Sequence, residues 1–310
     1  MRITFAKYHA AGNDFIIVRA EDLGIRRGIG QAQERSLVRF ARRILARHTG
    51  VGADGLFLAS PPREPAHHLA VRIFNADGSE AEMSGNGIRC AAAWLLDNKE
   101  GGAPPRSGTN RKKQLATLAI ETAAGLKRIE RVSGRRGSWE FRVNMGQPIL
   151  DPRRIPFAAK DAKAPLTGYA LPLSRGTPQV TVTSMGNPHC SLFVKNFSDL
   201  DWRALGREIE RHPLFPNRTN VEFVRVLSPG RIEVRFWERG VGETASSGTG
   251  SSAAAVAAVL NGLTRRKVRV RTQGHELGVD WARSGEVYLT GPARLVSSGS
   301  YEYDDGDAPL

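Results

Sequence analysis

Hydrophobic and polar positions alternate in short runs along most of this chain, a pattern typical of β-strands. Runs rich in β-branched and aromatic residues lie between turn signals at 2–9, 14–20, 55–60, 69–76, 139–146, 180–186, 190–196, 220–227, 231–239 and 286–291. Helices are predicted over 30–48, 86–97, 200–211 and 249–262. The chain therefore combines many short strands with a few helices.

The most informative pattern is an internal repeat. Residues 233–260 contain a copy of the pattern of residues 70–96 without a gap, at a constant offset of 163 positions. In both copies a strand-like run leads to Ser-Gly-x-Gly and then to an alanine-rich helix, with Ser84 matching Ser247. A duplication with so long a period indicates two similar half-molecules rather than a solenoid.

A second repeat lies upstream of the first. Residues 11–18 resemble residues 185–194, with Gly12 and Asn13 matching Gly186 and Asn187 at an offset of 174 positions. The two repeats occur in the same order, and their offsets differ by one loop of 11 residues (174 − 163). Two facing copies would place Ser84 and Ser247 opposite each other across one cleft.

Composition limits the class of protein. The 310 residues are 40% hydrophobic and 25% charged, as in a globular protein, and no apolar run is long enough to span a membrane. We recognise no signal peptide, and two cysteines do not indicate a disulfide framework, so a cytoplasmic setting is expected. The Gly-, Pro- and Lys-rich stretch 98–114 is predicted to be a surface loop.

The net charge of +14, from 45 basic and 31 acidic residues, raises the question of nucleic-acid binding. The arginines are spread along the chain, and the densest run, 24–48, reads as an amphipathic helix with a charged face. We therefore predict no nucleic-acid partner. The expected partner is an anionic or zwitterionic small molecule drawn to a basic surface.

The Ser-Gly-x-Gly turns have two interpretations. Glycine allows a ligand to approach the backbone, and the free N–H groups and dipole at a helix start favour an anion. Alternatively, Ser84 and Ser247 are plain helix N-caps. Two copies, each preceded by polar residues (Asn75 in one, Glu238 and Arg239 in the other), favour ligand binding.

Five motifs together resemble those of the diaminopimelate epimerases, a family of cofactor-independent amino-acid racemases and epimerases. They are GNDFIIV (12–18), FNADGSEAEMSGNGIRCAA (74–92), MGNPH (185–189), RTNVEF (218–223) and ERGVGETASSGTG (238–250). The likeness runs in family order from about Ile3 to the final GPARLV. It therefore covers nearly the whole chain.

The resemblance and the repeat together imply an α/β fold of two pseudosymmetric domains. Each domain would be a mostly antiparallel sheet wrapped around a central helix, 86–97 in one and 249–262 in the other. We expect an N-terminal domain of residues 1–145 plus 290–310 and a C-terminal domain of residues 146–289. The last strand, near 290–303, would return to the N-terminal domain.

The resemblance also implies an activity, the interconversion of LL- and meso-diaminopimelate in lysine and peptidoglycan precursor synthesis. One base removes the α-proton from one face of the carbon, and an acid returns a proton to the other face. Helix N-termini would hold the α-carboxylate as its charge grows. The reaction needs no pyridoxal phosphate or other cofactor; we predict no metal site and a possible homodimer.

The sequence departs from the family at the two base positions, where cysteines are expected and Ser84 and Ser247 stand. A serine hydroxyl gives almost no alkoxide without a neighbouring base. Cys90 and Cys190 are predicted to be buried residues that do not replace them. Three explanations stay open: a natural homologue with weak or different chemistry, including that of a related racemase or isomerase; an engineered Cys-to-Ser form; or a silent protein that binds diaminopimelate or a related amino acid.

Other site residues follow from the matching motif positions. The resemblance assigns proton transfer to Ser84 and Ser247, with His189 and Glu238 tuning their protonation; orienting a loop is the alternative role for His189. Asparagine side chains and helix starts would bind the two amino-acid ends of the substrate. The predicted binding residues are Asn13, Asn75, Gly85, Asn86, Asn187, Asn220, Glu238, Arg239, Gly248 and Thr249.

Overall fold

The computed structural model describes residues 1–25, 30–98, 116–159 and 162–304. The predicted surface loop 98–114 lies, after residue 98, outside the described residues. The chain divides into two compact units. The first unit is Met1–Arg142 with Pro292–Leu310, and the second is Val143–Gly291.

The described residues of the first unit form a sheet and two α-helices. Its strands are β1 (Arg2–Ala10), β2 (Asn13–Arg19), β3 (Gly55–Ser60), β4 (Leu69–Asn75), β5 (Glu80–Ala81), β6 (Ala116–Thr122), β7 (Gly125–Arg135) and β8 (Ser138–Asn144), which ends just past the unit boundary. Its helices are α1 (Gln31–Leu45) and α2 (Gly85–Asp97).

The second unit repeats this arrangement. Its strands are β9 (Tyr169–Ala170), β10 (Gln179–Ser184), β11 (Pro188–Phe193), β12 (Asn220–Ser228), β13 (Arg231–Glu238), β14 (Gly242–Thr244), β15 (Lys267–Arg271), β16 (Glu276–Trp281) and the start of β17 (Val287–Glu302). Its helices are α3 (Trp202–Glu210) and α4 (Gly248–Leu260).

The strand pairings confirm the predicted mostly antiparallel sheets. Within the described residues, each unit has two parallel pairs at corresponding places: β2 with β3 and β4 with β6 in the first, β11 with β12 and β13 with β15 in the second. The other strand pairings described for these residues are antiparallel, including the hairpins β3–β4 and β12–β13.

The central helix of each unit is α2 or α4, and both are buried over nearly their whole length. Helix α2 packs against β1, β2 and β3, whereas α4 packs against β10 to β13 and β15 to β16. Their alanines, such as Ala92 and Ala254, have no exposed surface. Small side chains let a helix sit close to a curved sheet, and the predicted sheet-around-helix fold is confirmed.

The last strand has two sets of partners. Residues 287–290 of β17 pair with β16, and residues 294–302 pair with β1. The expectation that this strand returns to the N-terminal part of the chain is confirmed. Among the described residues, no helix is both long and apolar enough to cross a membrane.

Seven of the strands in the described part of the chain were not predicted from the pattern. Three of them, β5, β9 and β14, have only two or three residues. In β15, Val268 and Val270 are buried while the alternating Lys267, Arg269 and Arg271 are exposed, so charged residues mask a strand whose inner face is apolar. Strand β7 is exposed along most of its length and has little apolar signal.

The second glycine of each Ser-Gly-x-Gly turn has a packing role that sequence reasoning did not identify. A Cβ atom on Gly87 would lie 2.5 Å from Cε2 of Phe57, and one on Gly250 would lie 3.0 Å from Cδ1 of Phe236. Both rings are buried. These glycines therefore let the helix start approach the sheet.

We expect Gly87→Ala to lower the free energy of unfolding by about 1–3 kcal/mol, because the added methyl group overpacks a buried ring that has no room to move. Gly230→Ala is the control, since a Cβ there meets nothing within 4 Å. Its effect should stay within about 0.5 kcal/mol. Urea unfolding checks both, and equal stability of the two variants would contradict the packing role.

Candidate active site

Both serines of the repeated turns are helix N-caps. The Ser84 Oγ accepts a hydrogen bond from the Gly87 N–H at 3.1 Å, and the Ser247 Oγ accepts one from the Gly250 N–H at 3.2 Å. Ser84 is half-buried and Ser247 is buried. The capping bond uses an oxygen lone pair, so the O–H hydrogen of each serine stays available to a further partner.

Strand register brings the other candidate residues of the first unit together at the ends of neighbouring strands. Asn13 begins β2, Asp54 directly precedes β3, and Asn75 ends the antiparallel strand β4. A two-residue turn at Ala11 and Gly12, both with positive φ, leads into Asn13.

Side-chain hydrogen bonds fix these groups. The Asn13 Nδ2 donates to Asp54 Oδ2 at 2.6 Å, and the Asn75 Nδ2 donates to the Ser79 hydroxyl at 2.9 Å. Asn75 is exposed. Asn86, in the first turn of α2, is buried and its Oδ1 accepts a hydrogen bond from Arg89 at 2.8 Å.

The second unit has different side chains at the corresponding strand ends. Asn187 precedes β11, Asn220 begins β12, and Glu238 ends β13. The Asn220 amide is held on both sides, since its Nδ2 donates to the Pro188 carbonyl and its Oδ1 accepts from the Arg239 N–H, each at 3.0 Å. The Arg239 side chain is exposed and donates to the Asn217 carbonyl at 3.2 Å.

His189 is fully buried and hydrogen-bonded through both ring nitrogens. Its Nδ1 lies 2.6 Å from Glu222 Oε1, and its Nε2 lies 2.9 Å from Asn187 Oδ1. The Ser191 hydroxyl donates to the other Glu222 oxygen at 3.3 Å. His189 therefore links the buried Glu222 carboxylate to the amide of Asn187, just before β11. This contact fits the loop-orienting role.

Glu238 lies beside the second serine. Its carboxylate accepts a hydrogen bond from the Thr244 hydroxyl at 2.5 Å, and the Ser247 side chain is near enough to influence its pKa. Burial raises the pKa of Glu238 above its usual range, the negative charge of Glu222 adds to this rise, and Thr244, His189 and Ser247 only partly offset it. The second unit thus places a carboxylate with a raised pKa near the capping serine.

The remaining predicted residues lie in the first turn of α4. Gly248 is buried and Thr249 is half-buried, directly after the capping Ser247. Gly85 has the matching place in α2, directly after Ser84. Each unit therefore joins a helix start to polar strand ends.

The two cysteines are buried, as predicted. Burial raises the pKa of the Cys90 thiol far above its usual range, and burial does the same for Cys190, with Glu222 adding to the rise. Both stay protonated near neutral pH. Neither thiol therefore supplies the missing thiolate.

The backbone repeat carries unequal chemistry. The parallel registers match Phe15 and Phe57 of the first unit to His189 and Glu222 of the second. The phenyl rings pack edge to face with centroids 5.3 Å apart, where the second unit has its hydrogen-bonded His–Glu pair. Asn75 likewise occupies the place of Glu238 at the end of the corresponding strand.

Among the described residues, sequence reasoning missed five side chains that hydrogen-bond to the side chains of predicted residues, namely Asp54, Ser79, Arg89, Glu222 and Thr244. Glu222 and Thr244 lie inside the quoted motifs RTNVEF and ERGVGETASSGTG. The parallel pairing of β11 with β12 places His189 opposite Asn220, two residues before Glu222. A correct pairing of these two strands would have identified the His–Glu contact.

Sequence comparison places this geometry among known proteins. The family described as diaminopimelate epimerase matches residues 5–150 and 181–296. A diaminopimelate epimerase of Desulforudis audaxviator is 44% identical over 96% of this chain and 98% of its own. One from Halothermothrix orenii is 38% identical over 99% of this chain and 100% of its own.

Solved structures share the fold at low sequence identity. A hydroxyproline epimerase from Agrobacterium vitis, with bound trans-4-hydroxy-L-proline, superposes with a TM-score of 0.63 at 16% identity, over 99% of this chain and 92% of its own. A phenazine biosynthesis protein of the PhzF family from Bacillus anthracis gives 0.62 at 17% identity, over 98% and 100%. These likenesses establish the fold alone.

The Phe15–Phe57 pair lies at the register of the buried His189–Glu222 pair, and this match predicts how changes to the second pair affect the free energy of unfolding. Glu222→Ala should lower the free energy of unfolding by about 3 kcal/mol, because it leaves the buried Nδ1 of His189 without its partner. The double variant His189→Phe, Glu222→Phe should recover most of that loss, since the first unit holds a Phe pair at the same register. Urea unfolding of the single and double variants measures the difference. A double variant no more stable than Glu222→Ala would show that the two positions are not equivalent.

Proposed function

Since this chain belongs to the diaminopimelate epimerase family and is an isomerase of that type, we propose that it interconverts LL- and meso-diaminopimelate by two-base proton transfer. The observation that carries the proposal is the repeated half-site, a serine-capped helix start beside polar strand ends in each unit. Both half-sites would serve one substrate carbon. The setting would be lysine and peptidoglycan precursor synthesis, with a cytoplasmic homodimer as the working form.

The proposal gives Ser247 and Glu238 a joint role in moving the proton. As the bond between the α-carbon and its hydrogen breaks, the proton passes to Ser247 Oγ and the proton of that hydroxyl passes to the Glu238 carboxylate. The nearness of the two groups and the raised pKa of Glu238 support this transfer. His189, itself bonded to Glu222, would hold Asn187 in place just before β11.

Ser84 would transfer the proton on the opposite face of the carbon without a neighbouring carboxylate that corresponds to Glu238. The residue that corresponds to Glu238 is Asn75, whose amide takes up no proton near neutral pH. A serine pair with one supporting carboxylate should therefore turn over more slowly than a thiol pair would.

Binding of the substrate would use donors and acceptors together. The N–H groups after Ser84 and Ser247 would hold the carboxylate, whose negative charge grows as the proton leaves. Side-chain amides suit an amino-acid end that carries both charges, since an amide donates and accepts. The proposed binding groups are Asn13, Asn75, Gly85, Asn86, Asn187, Asn220, Glu238, Arg239, Gly248 and Thr249.

A silent binding protein is the second candidate, and the capping role of both serines favours it. If Ser84 and Ser247 only cap their helices, the chain binds diaminopimelate without moving its proton. Exchange of the α-proton for deuterium, followed by NMR with and without the protein, separates the two candidates. Saturable binding without exchange would support the silent protein.

We expect the double variant Ser84→Cys, Ser247→Cys to raise the α-proton exchange rate on the order of 10²-fold or more. A thiol at a helix N-terminus forms a thiolate near neutral pH, whereas a serine hydroxyl does not. The rate of deuterium incorporation into diaminopimelate measures the effect. An unchanged rate, with the fold intact, would contradict proton transfer at these positions.

Ser84→Ala, Ser247→Ala is the matched control for the cysteine pair. It should abolish exchange while calorimetry still detects diaminopimelate binding through the remaining groups. Each lost cap should cost about 0.5–2 kcal/mol of stability. Exchange that persists in the alanine pair would exclude both serines as proton carriers.

Glu238→Gln should lower the exchange rate by about 10²-fold and change its pH dependence. The raised pKa of Glu238 means that the rate should rise with pH through a limb above the usual carboxyl value of 4.5. The glutamine variant should lack this limb because it has no titrating group there. A profile with the same limb in both proteins would assign it to another residue.

A further inference from the structure

Arg89 is a fully buried arginine on α2, one turn after the capped helix start. Among the described residues, no carboxylate forms an ion pair with it. Other arginines of the first unit do find acids: Arg72, for example, donates to both Glu34 and Glu80. A buried cation without an acidic partner is costly, so its place needs an explanation.

The contacts of Arg89 all point back to the helix start. Its Nη2 donates to Asn86 Oδ1 at 2.8 Å and its Nη1 donates to the Gly85 carbonyl at 3.2 Å. Its Nε has no hydrogen-bond partner among the described residues. Burial lowers the pKa of the guanidinium to about 10, so it still carries its charge near neutral pH.

These bonds determine what Asn86 offers to a ligand. Arginine only donates hydrogen bonds, so the atom of Asn86 that faces it must be the oxygen. The Asn86 NH₂ group is then the part left for a ligand, and it only donates. Together with the backbone N–H groups of the helix start and the nearby positive charge, it favours a ligand group that only accepts, such as a carboxylate.

The second unit shows the same bond without the charge. Ser252 lies 163 positions after Arg89, and its hydroxyl donates to the Gly248 carbonyl at 2.9 Å, as Arg89 does to Gly85. In that unit the residue in the place of Asn75 is the acidic Glu238, and Glu222 lies against Gly250. The two half-sites thus differ in charge although their backbones repeat.

We propose that Arg89 is a positioning residue that locks Asn86 as a hydrogen-bond donor and commits the half-site of the first unit to the carboxylate of the substrate. The inference rests on the proposed function for the identity of that substrate. Its central element, carboxylate binding at Gly85 and Asn86, is testable without turnover. A plain carboxylate is therefore the first probe.

The test titrates acetate into the full chain and follows the backbone amide signals of Gly85 and Asn86 by NMR. Arg89→Met, which fills similar space without charge, should weaken acetate binding about tenfold or more, while its melting temperature is retained or raised because an uncompensated buried charge is gone. Arg89→Lys keeps the charge but not the fork of donors, and should recover part of the affinity. Arg128→Gln, at an exposed position, is the control for loss of one positive charge and should bind acetate as the unaltered chain does.

The same variants are then compared for α-proton exchange in the Ser84→Cys, Ser247→Cys chain. We expect Arg89→Met to raise KM for diaminopimelate and to lower kcat/KM by about 10²-fold. The values for Arg89→Lys should lie between those of Arg89→Met and those of the chain that keeps Arg89. Unchanged acetate binding in Arg89→Met, or a lower melting temperature as its only effect, would overturn the inference. Arg89-dependent acetate binding in a chain that never exchanges the α-proton would uphold the inference and refute the proposed function.

Discussion

In each unit, a glycine lies against a side chain in the middle of a sheet strand. Gly87 packs on Phe57 of β3, and Gly250 packs on Glu222 of β12, the residue at the corresponding register. No larger residue fits at Gly87 without displacing a buried ring. Because the helix start sits this close to the sheet, the capping serine and the free N–H groups lie beside the strand ends that carry the polar side chains. The candidate half-site of each unit depends on such a contact.

The backbone of the two units repeats, whereas the side chains behind the two helix starts differ in charge and chemistry. One helix start has a phenylalanine pair behind it and a buried guanidinium one turn along, whereas the other has a hydrogen-bonded His–Glu pair and a carboxylate with a raised pKa. A reaction that takes a proton from one face of a carbon and returns one to the other face needs one group deprotonated while the other is protonated. In the proposed function, the carboxylate beside Ser247 and the guanidinium near the other helix start would make the two half-sites unequal in this respect.

The sequence predicted the elements that carry a strong periodic or repeated signal. The starts of α2 and α4 follow from the Ser-Gly-x-Gly repeat, and buried strands such as β3 follow from apolar runs. Strand β15 was missed because Lys267 and its charged neighbours alternate with the two buried valines. The pattern identified His189 but not Glu222, because their contact depends on which strands pair. Single-residue chemistry was readable from the motifs, and cross-strand chemistry required the register.

The central claim is that both units serve one substrate molecule. Calorimetric titration of the full chain with meso-diaminopimelate, repeated with Asn13→Ala and with Asn220→Ala, tests it most directly. The account predicts one molecule bound per chain, with affinity lost when either unit is altered. Two molecules bound per chain, each lost only with the variant of its own unit, would contradict the account.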